Sequence, residues 1–161
     1  MADEQALLRR TFEIARNAGA HGNMPFGALL AGPDGEILLE MENGYYPDID
    51  ATAHAERLLA TAASRQFREP FLAQCTLVSS AEPCAMCAGA IYWTGIGRVV
   101  YGLSETRLKV LTGDHPDNPT MDMPCRHVFA AGQKVISVEG PLLEDEAAAV
   151  HLEAWDREDA P

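Results

Sequence analysis

Apolar residues recur at near-helical spacing over residues 3–18, where Ala6, Leu7, Phe12, Ile14 and Ala15 alternate with Glu and Arg. That pattern predicts an amphipathic helix with one stripe facing a core. Asn17-Ala18-Gly19 ends it. The pattern then shortens to strand length. Residues 24–30 form one apolar run, Gly32-Pro33-Asp34-Gly35 is a turn signal, and residues 36–41 return, which predicts a hairpin. Beyond it the period alternates. A helix follows Asp50-Ala51-Thr52-Ala53, carries His54 and Glu56 in its first turn, and has Leu58, Leu59, Ala62 and Ala63 as its buried face. Residues 74–79 read as a strand, and Pro83 opens a helix running to about residue 94. Residues 98–103 are a strand and 104–111 a short helix. Residues 112–124, with three prolines, are an irregular loop. Residues 125–131 are helical, 134–139 a strand, and 144–157 a closing helix after the Gly140-Pro141 break. This order predicts one α/β domain over residues 1–161: a three-layer α/β/α sandwich, with a mixed five-stranded sheet and helices on both faces.

Composition narrows the functional classes. At 161 residues with a 47% hydrophobic share, the chain suits one globular domain with a real core. No apolar run is long enough to span a membrane, and Met1-Ala2-Asp3-Glu4 lacks a signal-peptide pattern, so a cytoplasmic location is expected. The formal net charge is -12, and Lys109 and Lys134 are the only lysines. Nucleic-acid binders draw affinity from clustered Lys and Arg. A nucleic-acid partner is therefore not expected, and a small, neutral or weakly charged substrate fits better. The cysteines are Cys75, Cys84, Cys87 and Cys125. A reducing compartment argues against a disulfide framework. The C-x-x-C pair has two plain readings, a redox pair or half of a four-cysteine structural zinc site. The second needs another close pair, which Cys75 and Cys125 do not make. The first leaves His54 and Glu56 unexplained.

The chemistry concentrates in His54-Ala55-Glu56 and Pro83-Cys84-Ala85-Met86-Cys87. One imidazole and two thiols suit Zn2+, and three protein ligands leave the fourth position for water. Glu56 is near enough in sequence to exchange protons with that water. Cys84 and Cys87, three apart, share a helical face. Both segments open predicted helices, whose N–H groups favour thiolates. H-x-E followed by P-C-x-x-C is the signature of zinc nucleobase deaminases.

On these residues the chain resembles the cytidine deaminase-like superfamily, in the purine-type branch of guanine deaminases and tRNA adenosine deaminases. The likeness extends from Pro25-Phe26-Gly27-Ala28 to the strand at Lys134 and includes Asn43, eleven residues before His54. It also includes Asp50-Ala51-Thr52-Ala53-His54-Ala55-Glu56 and residues 80–93. The resemblance implies zinc held by His54, Cys84 and Cys87, with Glu56 as proton shuttle. Asn43 and the Ala55 backbone N–H would orient the ring. Phe26 would border the pocket, or be a core residue only. Trp93 would face the pocket or a dimer partner, while Tyr92 packs into the core or a dimer face. Guanine deaminases carry G-F-D-D where this chain has Thr112-Gly113-Asp114-His115. Asp114 therefore reads either as the substrate-binding carboxylate or as a solvated loop acid. Glu82 reads as a solvated charge or as hydrogen-bonded support near the zinc loop. Cys125 reads as a small buried residue, and His21, His127 and His151 as structural or exposed. The segment 151–155 does not reproduce the guanine deaminase tail. A homodimer is the family's usual assembly.

The first functional expectation is a zinc-dependent hydrolytic deaminase of a small free nucleobase or nucleoside, guanine-like purines favoured. The alternatives are a tRNA adenosine deaminase, a pyrimidine or triazine deaminase and, outside enzymes, a structural zinc or redox module.

Overall fold

A computed structural model describes residues 3–113, 116 and 119–158, with 155–158 as backbone only. The chain runs α1 (Glu4–Ala20), β1 (Gly27–Ala31), β2 (Ile37–Glu42), α2 (Ala55–Gln66), α3 (Glu69–Leu72), β3 (Thr76–Ala81) and α4 (Ala85–Thr94). It continues through β4 (Arg98–Leu103), α5 (Glu105–Thr112), α6 (Cys125–Ala130), β5 (Ser137–Glu139) and α7 (Glu144–Glu158). The sheet order is β2-β1-β3-β4-β5. β1 pairs antiparallel with β2 and β3, while β3, β4 and β5 run parallel. The expected mixed five-stranded sheet is thus present.

Strand alternation divides the core in two. Ala28, Leu30, Leu77, Val99 and Tyr101 face α2, α4 and α6 through Leu59, Ala63, Ala88, Ile91 and Phe129. Leu29, Val78 and Val100 face α1, α5 and α7 through Leu8, Phe12, Ala15, Leu108 and Ala148. Successive side chains of a strand point to opposite faces. A sheet covered on both sides therefore reads as continuous apolar runs, as β1 and β4 do.

Several boundaries differ from the sequence expectation. In α1 the buried stripe is Leu8, Thr11, Phe12, Ile14, Ala15 and Ala18, and Ala6 is exposed. The three-four spacing from Leu8 sets the face, so Leu8 takes the inward position. In α2, Leu59 and Ala63 are buried, but Leu58 and Ala62 are only partly covered; Ala60 and Glu56 complete the face. β1 starts at Gly27 because Met24 to Phe26 makes a tight turn, with the Phe26 N–H donating to Met24 O at 2.8 Å. β3 starts two residues late and extends to Ala81. β5 keeps only Ser137–Glu139, and Val135 lies outside it in solvent. The short α3 was not expected. The hairpin turn holds as predicted, with Gly35 at φ 85° and its N–H donating to Gly32 O at 2.9 Å.

Gly27 fixes how α1 meets the sheet beside Phe26. A Cβ there would lie 2.7 Å from Ala15 N and from Thr11 O. Gly27→Ala is expected to push α1 off β1 and cost about 1–3 kcal/mol. Chemical denaturation checks this; an unchanged midpoint would contradict the close approach.

Candidate active site

The loop before α2 is locked by its own polar residues. Asp50 Oδ1 accepts from Thr52 N at 2.8 Å and from Thr52 Oγ1 at 2.7 Å. Arg57 reaches back from α2, its Nε donating to Thr52 O at 2.6 Å. The Gly44 N–H donates to Ala53 O at 2.9 Å, tying this loop to the end of β2. His54 therefore emerges as the N-cap of α2, with Glu56 in the first turn. Across from it, Cys84 is the N-cap of α4 and Cys87 lies in its first turn. Two helix N-termini converge, and their unpaired N–H groups favour negative charge.

His54 Nδ1 lies 3.6 Å from Cys84 Sγ and 3.6 Å from Cys87 Sγ. These are the three residues whose ligand atoms gather within 4.8 Å of one another among the described residues. Zinc bonds of about 2.3 Å to sulfur and about 2.05 Å to nitrogen, at the tetrahedral angle, put N and S about 3.6 Å apart. The spacing therefore fits zinc. The metal-free thiols fit it too. Cys84 is drawn down to about 4, chiefly by the hydrogen bond from Cys87 and then by His54, against the cost of burial. Cys87 is pushed up by that same bond and by burial. Metal binding needs the sulfurs as thiolates, so a divalent cation would displace their protons. Cys75 and Cys125 are free, buried in the core and outside the cluster, so a four-cysteine site is not assembled.

The cluster opens into a cavity of about 470 Å³, within the usual range for small ligands. Glu56 lines it while only 5% exposed. Its carboxyl is raised to about 7, chiefly by burial, which outweighs the favourable charge of His54. Asn43 and Phe26 also line the cavity. Asn43 Oδ1 is taken by the Tyr45 N–H at 3.1 Å, so the side chain turns its NH2 donors elsewhere. The Phe26 ring meets His151 edge-on, with centroids 5.0 Å apart. His151 is buried, its Nδ1 has no hydrogen-bond partner among the described residues, and burial draws its pKa down to about 4. Met24, Tyr45, Met86, Leu108 and Met121 supply much of the apolar wall.

Other expected site residues stand apart. Ala55 is fully buried in the core at the start of α2 and is not among the cavity residues. Trp93 is 77% exposed, stacked edge-on against Tyr92, and is not among the cavity residues. α4 is apolar all round, so its sequence does not say which side faces inward. Asp114 lies outside the described residues. Two buried cavity carboxylates were not singled out as substrate contacts. Glu82 is buried and accepts from the backbone N–H groups of Glu105 at 3.0 Å and Cys125 at 2.9 Å. It is support near the Cys84 loop rather than a solvated charge. Glu105 opens α5, is 6% exposed, and is raised to about 7, chiefly by burial and then by the Cys84 charge. In sequence it looks like any favourable first-turn acid.

The family model for the zinc-binding region of cytidine and deoxycytidylate deaminases matches residues 1–103. The chain belongs to this deaminase family. A probable cytosine deaminase of Schizosaccharomyces pombe is 36% identical over 151 residues, covering 94% of this chain and 91% of that one. A solved protein in complex with 2,6-diaminopurine superposes with a TM-score of 0.78 at 27% identity, covering 96% of this chain and 82% of that one. The guanine deaminase of Bacillus subtilis superposes with a TM-score of 0.61 at 27% identity, covering 99% and 96%. These neighbours share the mixed-sheet α/β fold.

Stripping metal with a strong chelator is expected to lower the melting temperature by about 5–10 °C, and zinc to restore it. Cys87→Ala should lose most of the bound zinc by elemental analysis. A melting point indifferent to chelator would contradict a site at these residues.

Proposed function

We propose that the protein is a zinc-dependent hydrolytic deaminase of a small free nucleobase or nucleoside, with a guanine-like purine as the first candidate. The observation that carries this is the buried Glu56 carboxyl, which lines one small cavity with His54 and Cys84 of the His54–Cys84–Cys87 cluster. His54, Cys84 and Cys87 would hold the metal. Bound zinc supplies a Lewis acid that brings a water's pKa towards about 7. Glu56 is the proton carrier. Raised to about 7, it takes and returns protons near neutral pH. It accepts one proton as the water oxygen adds to the ring carbon and delivers it to the ring nitrogen, then takes the second proton from the added hydroxyl and delivers it to the amino group. The C–N bond breaks, ammonia leaves, and the oxygen stays as a carbonyl. Asn43 and the Ala55 N–H orient the ring, and Phe26 packs on it.

Both purine and pyrimidine rings have support among relatives. The complex with 2,6-diaminopurine and the Bacillus subtilis guanine deaminase favour a purine. The Schizosaccharomyces pombe relative favours cytosine as the second reading. Charge weighs against RNA and nucleotides. The described cavity residues include Asp50, Glu56, Glu82 and Glu105 and no Lys or Arg. The three α1 arginines are each occupied, Arg9 by Glu146, Arg10 by Glu40 and Glu13, and Arg16 by Glu153. No helix among the described residues is long and apolar enough to cross a membrane. The exposed Trp93, with Lys134 over its ring at 5.8 Å, supports assembly as a homodimer.

Ammonia release from guanine, cytosine, adenine and their nucleosides tests this reading. Glu56→Gln keeps the side-chain volume and removes the proton carrier. It is expected to cut turnover by about 10²–10⁴-fold with zinc content unchanged. Full turnover in that variant would overturn the proton route.

A further inference from the structure

Of the four carboxylates that line the cavity, Glu56, Glu82 and Glu105 are buried, and their hydrogen bonds set them apart. Glu56 stands in the first turn of α2 beside the cluster. Glu82 has both oxygens engaged, one by the Glu105 N–H and one by the Cys125 N–H. It bridges the starts of α5 and α6. Glu105 comes from a different element, lines the same cavity, and has the Met121 backbone amide near enough to favour its charged form. A carboxylate offers about four acceptor positions over two oxygens. One backbone donor takes up at most one of them. Asn43, also on the cavity wall, has its carbonyl oxygen taken by Tyr45 and keeps NH2 donors. The wall therefore offers an amide donor from the end of β2 and a carboxylate acceptor from the start of α5.

We propose that Glu105 is a specificity-determining residue whose carboxylate accepts a ring N–H of the substrate, so that the cavity selects unphosphorylated aminated heterocycles carrying such a donor. This rests on the deaminase reading above and goes beyond it by naming the residue and the substrate feature it reads. Burying a carboxylate against a methylated ring nitrogen leaves an acceptor unmatched and brings no N–H in return. A phosphate brought to the same wall meets like charge. Glu105→Gln separates this role from simple support of the loop at Met121. The variant's carbonyl still offers the Met121 N–H an acceptor, while its NH2 turns a donor towards the substrate's donor.

The test uses the zinc-loaded, full-length protein, wild type and Glu105→Gln. The probes are guanine, guanine methylated at each ring N–H in turn, cytosine, and cytosine methylated at its ring N–H. Ammonia release gives kcat and KM, and calorimetry gives the affinity for the deaminated products. The wild type is expected to disfavour one methyl isomer by about 10–100-fold in kcat/KM. Glu105→Gln should bring that preference to within about threefold, mainly through a higher KM for the parent base. Should Glu105→Gln fail to fold, Glu105→Asp keeps the charge, withdraws it by one methylene, and should blunt the same preference. If the wild type deaminates a base with no preference among its methyl isomers, or the variant keeps the wild-type preference, the role of Glu105 is overturned while the deaminase reading stands. If the wild type releases ammonia from no base and from none of their nucleosides, the deaminase reading fails first and takes this inference with it.

Discussion

The convergence of two helix N-termini governs this molecule. His54 caps α2, Cys84 caps α4, and Cys87 follows one turn on, so three soft donors meet with 3.6 Å between the imidazole nitrogen and each sulfur. Neither helix could hold that geometry alone. Leu59, Ala63, Ala88 and Ile91 press both against the same face of the sheet. The hydrogen bonds of Asp50, Thr52 and Arg57 set the angle at which His54 enters. Small residues on the facing helices let the backbones come close, and the open N–H groups of both first turns stabilise negative sulfur.

The same arrangement explains the acidic cavity. Two helix ends supply positive potential, and a divalent ion held by His54, Cys84 and Cys87 would add to it, against which Glu56, Glu82 and Glu105 can be buried. Without that balance, burial raises both Glu56 and Glu105 to about 7. Glu82 reaches the same end with backbone donors from two further segments, and so links the metal loop to α5 and α6. The sheet order carries these elements to one rim. β3 ends just before Glu82, β4 just before Ser104, and β2 just before Asn43.

Much of the site was legible in the sequence because its chemistry is local. The Cys84 to Cys87 interval places both sulfurs on one helical face, and His54 with Glu56 occupies a first turn. The hairpin was legible because Gly35 needs a positive φ that glycine supplies without strain. Residues whose role is set by distant partners were not. Glu105 carries no local mark of burial, and the choice between Glu82 as a solvated charge and as support near the zinc loop is settled only by partners 23 and 43 positions away. Trp93 could not be oriented from a helix that is apolar on every side, and it points to solvent rather than into the cavity. The stripe of α1 was misread at Ala6 because small residues signal a face weakly. β5 was overestimated because only three of its residues find a ladder on β4.

X-ray absorption at the zinc edge of the purified, metal-loaded protein tests the centre most directly. The account predicts one zinc per chain with two sulfurs at about 2.3 Å, one imidazole nitrogen at about 2.0–2.1 Å, and one further light atom. A shell of four sulfurs, or a protein that takes up no zinc and instead joins Cys84 to Cys87, would contradict it.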